Sequence, residues 1–389
     1  MKVGVVKESY PDERRVALVP GVAAALVKKG MQVLVESGAG ITAGYADEEF
    51  ATAGATLVSK RRQVFDEADV LLMVRAAGAN RQAGVADVQA MHAGQYVIGL
   101  MDPLGAPRDA QALAAANVVG FALELLPRIS RAQSMDVLSA MANLAGYKAV
   151  LLAANEAPRI FPLMMTAAGT LSPAKVVVLG VGVAGLQAIA TAKRLGAVVE
   201  AYDVRPEVRE QVLSVGGRFI DLGLDTAGAT DAGGYAKAQS ADFLLQQQER
   251  LAGYTRAADV VITTAQVPGR RAPILITSAM LHGSKRGGVI VDLAAEQGGN
   301  CERTQPGETI EVEGVRILGP VNLPSTIPFH ASQLLAKNIA SFLTALVDKS
   351  GTLNLSLEDE IVRGTLIVKD GAVVNPRVQA ALGAAVNAE

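Results

Sequence analysis

Short aliphatic runs alternate along the chain with segments whose apolar residues recur every three or four positions. The first runs lie at 3–6, 32–35, 70–74, 96–100 and 118–122. After a helical stretch the pattern restarts at 176–179, 198–202, 219–220, 260–264, 289–292 and 315–318. Runs that are apolar throughout, with no polar alternation, predict strands covered on both faces. Their interleaving with helical segments predicts βαβ units and parallel sheets. Two successive series predict two doubly wound α/β domains.

The joint falls after Pro127. Ser130 and Gln133 read as a capping-box pair that starts a helix. On a helical wheel Met135, Leu138, Ala142, Ala145 and Ala149 share an apolar face, and Gln133, Asp136, Ser139, Asn143 and Tyr147 a polar one. A second long helix over 331–347 follows the last run and returns the chain to the first domain. The expected division is therefore residues 1–130 plus 325–389, the first domain being completed by the C-terminal segment, and residues 131–324. The weakly patterned stretch 222–234 inside the second domain is an insertion or a functional loop.

Composition narrows this picture. Half of the 389 residues are hydrophobic but only 4% are aromatic, and there is no tryptophan. The core must be built from small aliphatic side chains. A net charge of −2, with no run of five like charges, argues against a nucleic-acid partner. The single cysteine, Cys301, and three scattered histidines predict neither a disulfide nor a metal site. The N-terminus has only four uncharged residues between Lys2 and Lys7, too few for a secretory signal, so a cytoplasmic location is expected. The 17 uncharged residues between Lys175 and Lys193 approach the length of a membrane span, but three glycines and Gln187 interrupt them. They read as strand, turn and helix, so no membrane segment is expected.

That turn carries candidate chemistry. Gly180-Val181-Gly182-Val183-Ala184-Gly185 satisfies G-x-G-x-x-G directly after a strand and before an amphipathic helix, the context that gives a Rossmann-like reading its force. Gly180 permits the tight turn, Gly182 lets a pyrophosphate approach the backbone, and Gly185 lets helix and strand lie close. The helix N-terminus offers N–H groups to an anion. Asp203, 23 residues after Gly180, suits the adenosine ribose hydroxyls and repels a 2′-phosphate, although Arg205 is suited to holding one. The loop Ala265-Gln266-Val267-Pro268-Gly269 follows the run 260–264 and lies where open parallel sheets bind ligands. Each of these features also has a plain structural reading, as a glycine turn, a strand-end carboxylate or an ordinary connection.

The segment RISRAQSMDVLSAMANLAGY at 128–147 closely resembles the NAD(H)-binding component (domain I) of proton-translocating NAD(P) transhydrogenase. TAAGT at 166–170, the glycine loop and its helix at 180–197, AGGYAK at 232–237, ITTA at 262–265 and GGNC at 298–301 resemble it too. The resemblance covers essentially the whole chain, in the form in which this component is a separate polypeptide. It implies direct hydride transfer from NADH to NADP⁺ held on a partner subunit, coupled to proton movement by a membrane-spanning subunit. It implies a homodimer, peripheral at the inner face of the cytoplasmic membrane through those partners. Its nicotinamide trio falls on Arg128, Gln133 and Asp136, with Ile129 and Ser139 beside them. Its other coenzyme positions fall on Gly180, Val181, Gly182, Val183 and Ala184, on Asp203, Val204 and Arg205, and on Gln247 and Thr264 to Gln266. Gly234 and Tyr235 match its mobile loop.

Two other functions stay open on the residues. The chain also resembles alanine dehydrogenase throughout its length, with Arg15 in the segment of that family's substrate arginine. Deamination needs a proton-transfer group near the substrate carbon. Here the lysine position is Arg75, and no histidine occurs near Gly99. A non-catalytic NAD-sensing module is the third reading, compatible with the lack of an obvious acid–base pair.

Overall fold

The computed structural model describes residues 1–226, 239–266, 269, 271–348 and 351–386. The backbone forms two compact units, Met1–Met141 with Pro324–Glu389, and Ala142–Leu323.

In the first unit, strands β1 (Lys2–Val5), β2 (Gln32–Glu36), β3 (Thr56–Val58), β4 (Val70–Arg75), β5 (Tyr96–Leu100) and β6 (Val119–Ala122) run parallel in the order β6-β5-β4-β1-β2-β3. Apart from the edge strand β3, their central side chains are buried on both faces, as unbroken aliphatic runs require. The helix Pro328–Leu346 returns to this unit, and Ala331, Leu335, Ile339, Phe342 and Leu346 form its buried stripe. Phe342 meets Phe121 of β6 edge-to-face, with ring centroids 5.5 Å apart. The helix starts three residues before the expected position because Pro328 occupies its first turn, where the missing N–H costs nothing.

The second unit holds the hairpin β7 (Met164–Thr166) and β8 (Gly169–Leu171). Its main strands are β9 (Lys175–Leu179), β10 (Val198–Tyr202), β11 (Arg218–Phe219), β12 (Val260–Thr263), β13 (Val289–Asp292), β14 (Thr309–Val312) and β15 (Val315–Leu318), in the order β11-β10-β9-β12-β13-β15-β14. The chain leaves β9 outward through β10 and β11, then comes back to β12 on the other side of β9. The strand order therefore reverses between β9 and β12. The run between Lys175 and Lys193 is β9 followed by the helix Val183–Arg194. The helix Val137–Glu156 is long and apolar enough to cross a bilayer. Its residues Ala149, Val150 and Ala153 instead share a buried cluster with Val176, Val178 and Ile262 of this sheet.

Both sheets are mixed rather than wholly parallel. β16 (Leu366–Lys369) and β17 (Ala372–Val373) add an antiparallel hairpin beside β6, and β14 runs antiparallel to β15. Each hairpin turns through two residues of positive φ, Asp370-Gly371 (51° and 73°) and Glu313-Gly314 (54° and 79°). Such turns match the twist of the strands they join.

Candidate functional site

In the second unit the glycine loop and the loop after β12 meet at the reversal. Gly180 has φ +97°, and a Cβ there would stand 2.8 Å from Thr264 Oγ1 and 2.9 Å from Ala265 N. Thr264 Oγ1 donates to Gly180 O at 2.9 Å, so the two loops are locked together. A Cβ on Gly185 would run into the Gly180 carbonyl, which explains the close approach of helix to strand. Gly182 is different. Its φ of −83° suits any residue, and a Cβ there meets nothing within 4 Å among the described residues. The fold itself does not require glycine at 182. Gly182 is also the N-cap of the Val183–Arg194 helix, whose first turn, Val183, Ala184 and Gly185, has no side-chain cap. Gly146 was not singled out from the sequence. A Cβ there would lie 2.9 Å from Ala184 C and collide with its oxygen, so the Val137–Glu156 helix presses on the loop helix through a glycine.

Asp203, at the end of β10, is buried and accepts Val181 N–H at 2.7 Å and Arg205 N–H at 2.9 Å. Arg205 closes on it with Nε and Nη2, both at 2.9 Å, and donates to Val181 O at 3.2 Å. The guanidinium that sequence reasoning left available for a phosphate is thus folded onto the carboxylate. Val204 packs at the rim of the apolar cluster beside it. Gln247, on the helix Ala241–Ala257, is buried and donates to Tyr202 Oη at 3.0 Å, while its Oε1 has no partner among the described residues. Burial raises the Tyr202 phenol above its ordinary pKa.

Beyond β12, Gln266 is exposed and its Nε2 donates to Leu293 O at 2.6 Å. Ala265 N–H donates to Asn300 Oδ1 at 3.0 Å, and Asn300 Nδ2 donates back to Ala265 O at 2.8 Å. Cys301 is fully buried with its thiol pushed up to about 11, which keeps it protonated and unreactive at neutral pH. Among the described residues no three His, Cys, Asp or Glu side chains gather as metal ligands.

The 128–139 segment corrects the capping-box reading. Ser130–Met135 is a 3₁₀ helix without a side-chain cap, and the α-helix begins only at Val137. Asp136 caps it instead: Oδ1 accepts Ser139 N–H at 2.8 Å and Oδ2 accepts Ser139 Oγ–H at 2.6 Å. A short carboxylate directly before the first helical residue reaches the free N–H three residues on. The apolar face moves accordingly. Val137, Met141, Ala149, Val150 and Ala153 are buried, whereas Leu138 is 38% exposed. One helical wheel therefore does not unite Gln133 with Asp136 and Ser139. Arg128 and Gln133 are exposed and Ile129 is half-buried. The 3₁₀ turn is pinned within the first unit by Asn338 Nδ2 to Ser134 O (2.8 Å) and by Arg131 on Asp359 (2.5 Å), which lowers the Asp359 pKa. Gly234 and Tyr235 lie outside the described residues.

Comparison with known proteins settles the relationship. Residues 4–145 match the family described as alanine dehydrogenase/PNT, N-terminal domain, and residues 149–376 match its C-terminal domain. A relative from Rhodospirillum rubrum, an NAD(P) transhydrogenase subunit alpha polypeptide, is 47% identical over 380 residues, 97% of this chain and 98% of the relative. The chain belongs to the NAD(P) transhydrogenase subunit alpha family. The crystal structure of transhydrogenase from Sinorhizobium meliloti superimposes with a TM-score of 0.85 at 45% identity, covering 96% of this chain and all of the other. An L-alanine dehydrogenase structure superimposes at 0.81 but with 27% identity, covering 99% of each chain.

Arg15 sits in a buried ion-pair cluster of the first unit. Arg15 Nε and Nη2 grip Glu13 at 2.7 and 2.6 Å, and Arg75 Nε reaches the same carboxylate at 3.3 Å while stacking over Tyr10. Arg75 stands where deamination would use a lysine, and a guanidinium does not release its proton. His92 is occupied elsewhere, beside the Ala68 and Ala93 carbonyls.

Proposed function

We propose that the chain is the NAD(H)-binding subunit of a proton-translocating NAD(P) transhydrogenase. In this reading it delivers hydride from NADH to NADP⁺ on a partner subunit, and a membrane-spanning subunit couples the step to proton movement. The observation that carries the reading is Gly182. A glycine required neither by its dihedrals nor by its neighbours, beside an uncapped helix N-terminus at the strand reversal, suits a pyrophosphate lying against the backbone.

The residues present fit a dinucleotide. Val181, Gly182, Val183 and Ala184 would hold the pyrophosphate, and Asp203 the adenosine ribose, with Val204 and Arg205 shaping that pocket. The unpartnered Gln247 Oε1 is a free acceptor for a coenzyme hydroxyl. Thr264, Ala265 and Gln266 would line the path toward the nicotinamide. Arg128, Ile129, Gln133, Asp136 and Ser139 are assigned to the nicotinamide and its ribose, and Gly234 and Tyr235, outside the described residues, are assigned to the coenzyme as well. When bound, NADH supplies the hydride itself, so little acid–base work falls to the protein. What remains is orientation and exclusion of water. Asp136 is held rigid by Ser139, each oxygen keeping a lone pair for a coenzyme donor.

The β7–β8 hairpin supports a homodimer. Leu163, Met164, Met165 and Leu171 on it are 44–75% exposed, and an isolated two-stranded hairpin is not stable without a covering surface. A second copy of the chain is the proposed cover. The proposed location is the cytoplasmic face of the membrane, held by the partner subunits.

The test combines the purified chain with membranes stripped of peripheral subunits, NADH and a spectrally distinct NADP⁺ analogue. Analogue reduction is expected only when both components are present. Confirmed NADH binding without turnover, beside a competent membrane fraction, would replace this reading with that of an NAD sensor.

A further inference from the structure

Asn300 lies in the Gly298-Gly299-Asn300-Cys301 motif, to which the proposed chemistry assigns no role. It is completely buried and its amide is fully used. Oδ1 accepts Ala265 N–H at 3.0 Å, and Nδ2 donates to Ala265 O and Pro273 O, both at 2.8 Å. Its backbone is equally fixed. The N–H donates to Asp292 Oδ2 at 2.7 Å, and the carbonyl accepts Leu275 and Ile276 N–H at 2.8 and 3.0 Å. Asp292, at the end of β13, also accepts from Cys301 N–H, Thr304 Oγ1 and Ala294 N–H.

Ala265 lies beyond the last ladder pairs of β12, Thr263 with Leu179 and Thr263 with Asp292. Asn300 supplies what the ladder no longer does, meeting both the N–H and the C=O of one peptide residue. A reciprocal two-point bond fixes orientation as well as position. One bond alone would fix the position of Ala265 but not the direction of its peptide groups, which the side-chain bonds of Thr264 and Gln266 do not reach. Burying an amide costs free energy that an apolar side chain would not, so its use here marks a need for direction rather than for packing.

We infer that Asn300 is a positioning residue, holding Thr264-Ala265-Gln266 against Gly180 where the nicotinamide end of the coenzyme would pass. The inference rests on the NAD(H) reading for its ligand but not for its geometry.

Three measurements on Asn300→Ala test it, with Thr304→Val as the control that breaks the same Asp292 cluster away from the loop. Amide exchange in a peptide spanning 260–266 should rise at least 100-fold at Ala265. ADP-ribose, which lacks the nicotinamide, should bind within twofold of wild type, while NADH binds about fivefold more weakly. Hydride transfer at saturating NADH should slow tenfold or more. Thr304→Val should leave all of these within threefold. If Asn300→Ala does not fold, Asn300→Asp, which is isosteric and keeps an acceptor for Ala265 N–H while losing the amide donor, carries the same comparison at reduced size. Unchanged exchange at Ala265, an equal loss of ADP-ribose and NADH, or the same slowing in Thr304→Val would each overturn the inference. A wild-type chain that binds NADH but transfers no hydride would sink the functional reading alone. Exchange and the ADP-ribose comparison would still decide the role of Asn300.

Discussion

Alanine substitutions at Gly182 and Gly185, one helical turn apart, should do harm for opposite reasons. At Gly185 the added methyl would sit 3.0 Å from the Gly180 carbonyl carbon and still closer to its oxygen. Relief to an ordinary contact of about 3.3 Å requires the helix and strand to part by roughly 1 Å. Overpacking of this kind costs about 1–3 kcal/mol. For a unit of this size each kcal/mol lowers Tm by about 2–4 °C, so a loss of roughly 2–12 °C is expected. At Gly182 the methyl meets no described atom within 4 Å and the φ of −83° is relaxed. Losing a glycine N-cap costs a few tenths of a kcal/mol or somewhat more. Restricting the unfolded chain returns about 0.4–1 kcal/mol. Stability should therefore stay within about 0.5 kcal/mol of wild type. The same methyl would occupy the space assigned to the pyrophosphate, and NADH affinity should fall at least tenfold, about 1.4 kcal/mol. Calorimetric unfolding and NADH fluorescence titration on both variants separate the two costs. A folded Gly182→Ala chain that binds NADH within twofold of wild type would refute the pyrophosphate assignment.

Gln133→Asn shortens an exposed amide on the 3₁₀ turn and should slow single-turnover hydride transfer far more than it weakens NADH binding; equal losses would remove the orienting role. Glu124 is half-buried, its Oε1 accepts Met101 and Asp102 N–H while its enclosed Oε2 has no partner among the described residues, and desolvation pushes it up to about 7 from 4.5. A folded-state pKa raised in this way contributes stability below pH 4.5 that is lost as pH rises through 7, on the order of 3 kcal/mol. Glu124→Gln should flatten urea-unfolding free energy across that window; a slope like that of wild type would show that the group stays ionised. Met165→Asp on the β7–β8 hairpin should shift the chain toward monomer in sedimentation equilibrium, with little change in unfolding, because the side chain is 75% exposed. A variant that sediments as wild type would rule out this hairpin as the contact.

The strands that place the site were legible because a doubly covered strand leaves no choice but an aliphatic run. Tyr96–Leu100, Val198–Tyr202, Val289–Asp292 and Val315–Leu318 have the expected bounds, and most others differ by one residue. β14 and β17 escape a search for such runs because they are partly exposed, whereas β16 is itself a buried aliphatic run, Leu366-Ile367-Val368, absent from the expected strands. Their signal was in the turns: Asp370-Gly371, between Leu366–Lys369 and Ala372–Val373, is a strong two-residue turn sequence. The phase of the Val137–Glu156 helix differs from the expected one because Ser130 and Asp136 are both good N-cap residue types, and only Asp136 bonds the residue three positions on. Only the 3₁₀ turn between them decides which one opens the α-helix. Asn300 and Gly146 had no local signal at all. Their partners, Ala265 and Ala184, lie 35 and 38 residues away and are met through backbone atoms, which the sequence does not distinguish.

The Asp203–Arg205 pair shows where residue type stops being informative. An aspartate at this position argues for repulsion of a 2′-phosphate, and an arginine two residues on argues for its capture. In the fold the two are one group: a bidentate ion pair, 6% and 15% exposed at the side chains, tied to Val181 N–H on one side and Val181 O on the other. Its charges largely cancel, so long-range repulsion of a phosphate is weak. Selection at the proposed ribose site then depends on contact. Each carboxylate oxygen already accepts two N–H groups, so a ribose hydroxyl would have to share or displace one of them, a smaller change than rupture of the ion pair. A 2′-phosphate could be held only by pulling Arg205 off Asp203, which would leave a buried carboxylate stripped of its partner, a strongly destabilising change. At the proposed ribose site the ion pair would thus discriminate by what its rupture would cost, and the same bonds to Val181 would couple that discrimination to the shape of the glycine loop.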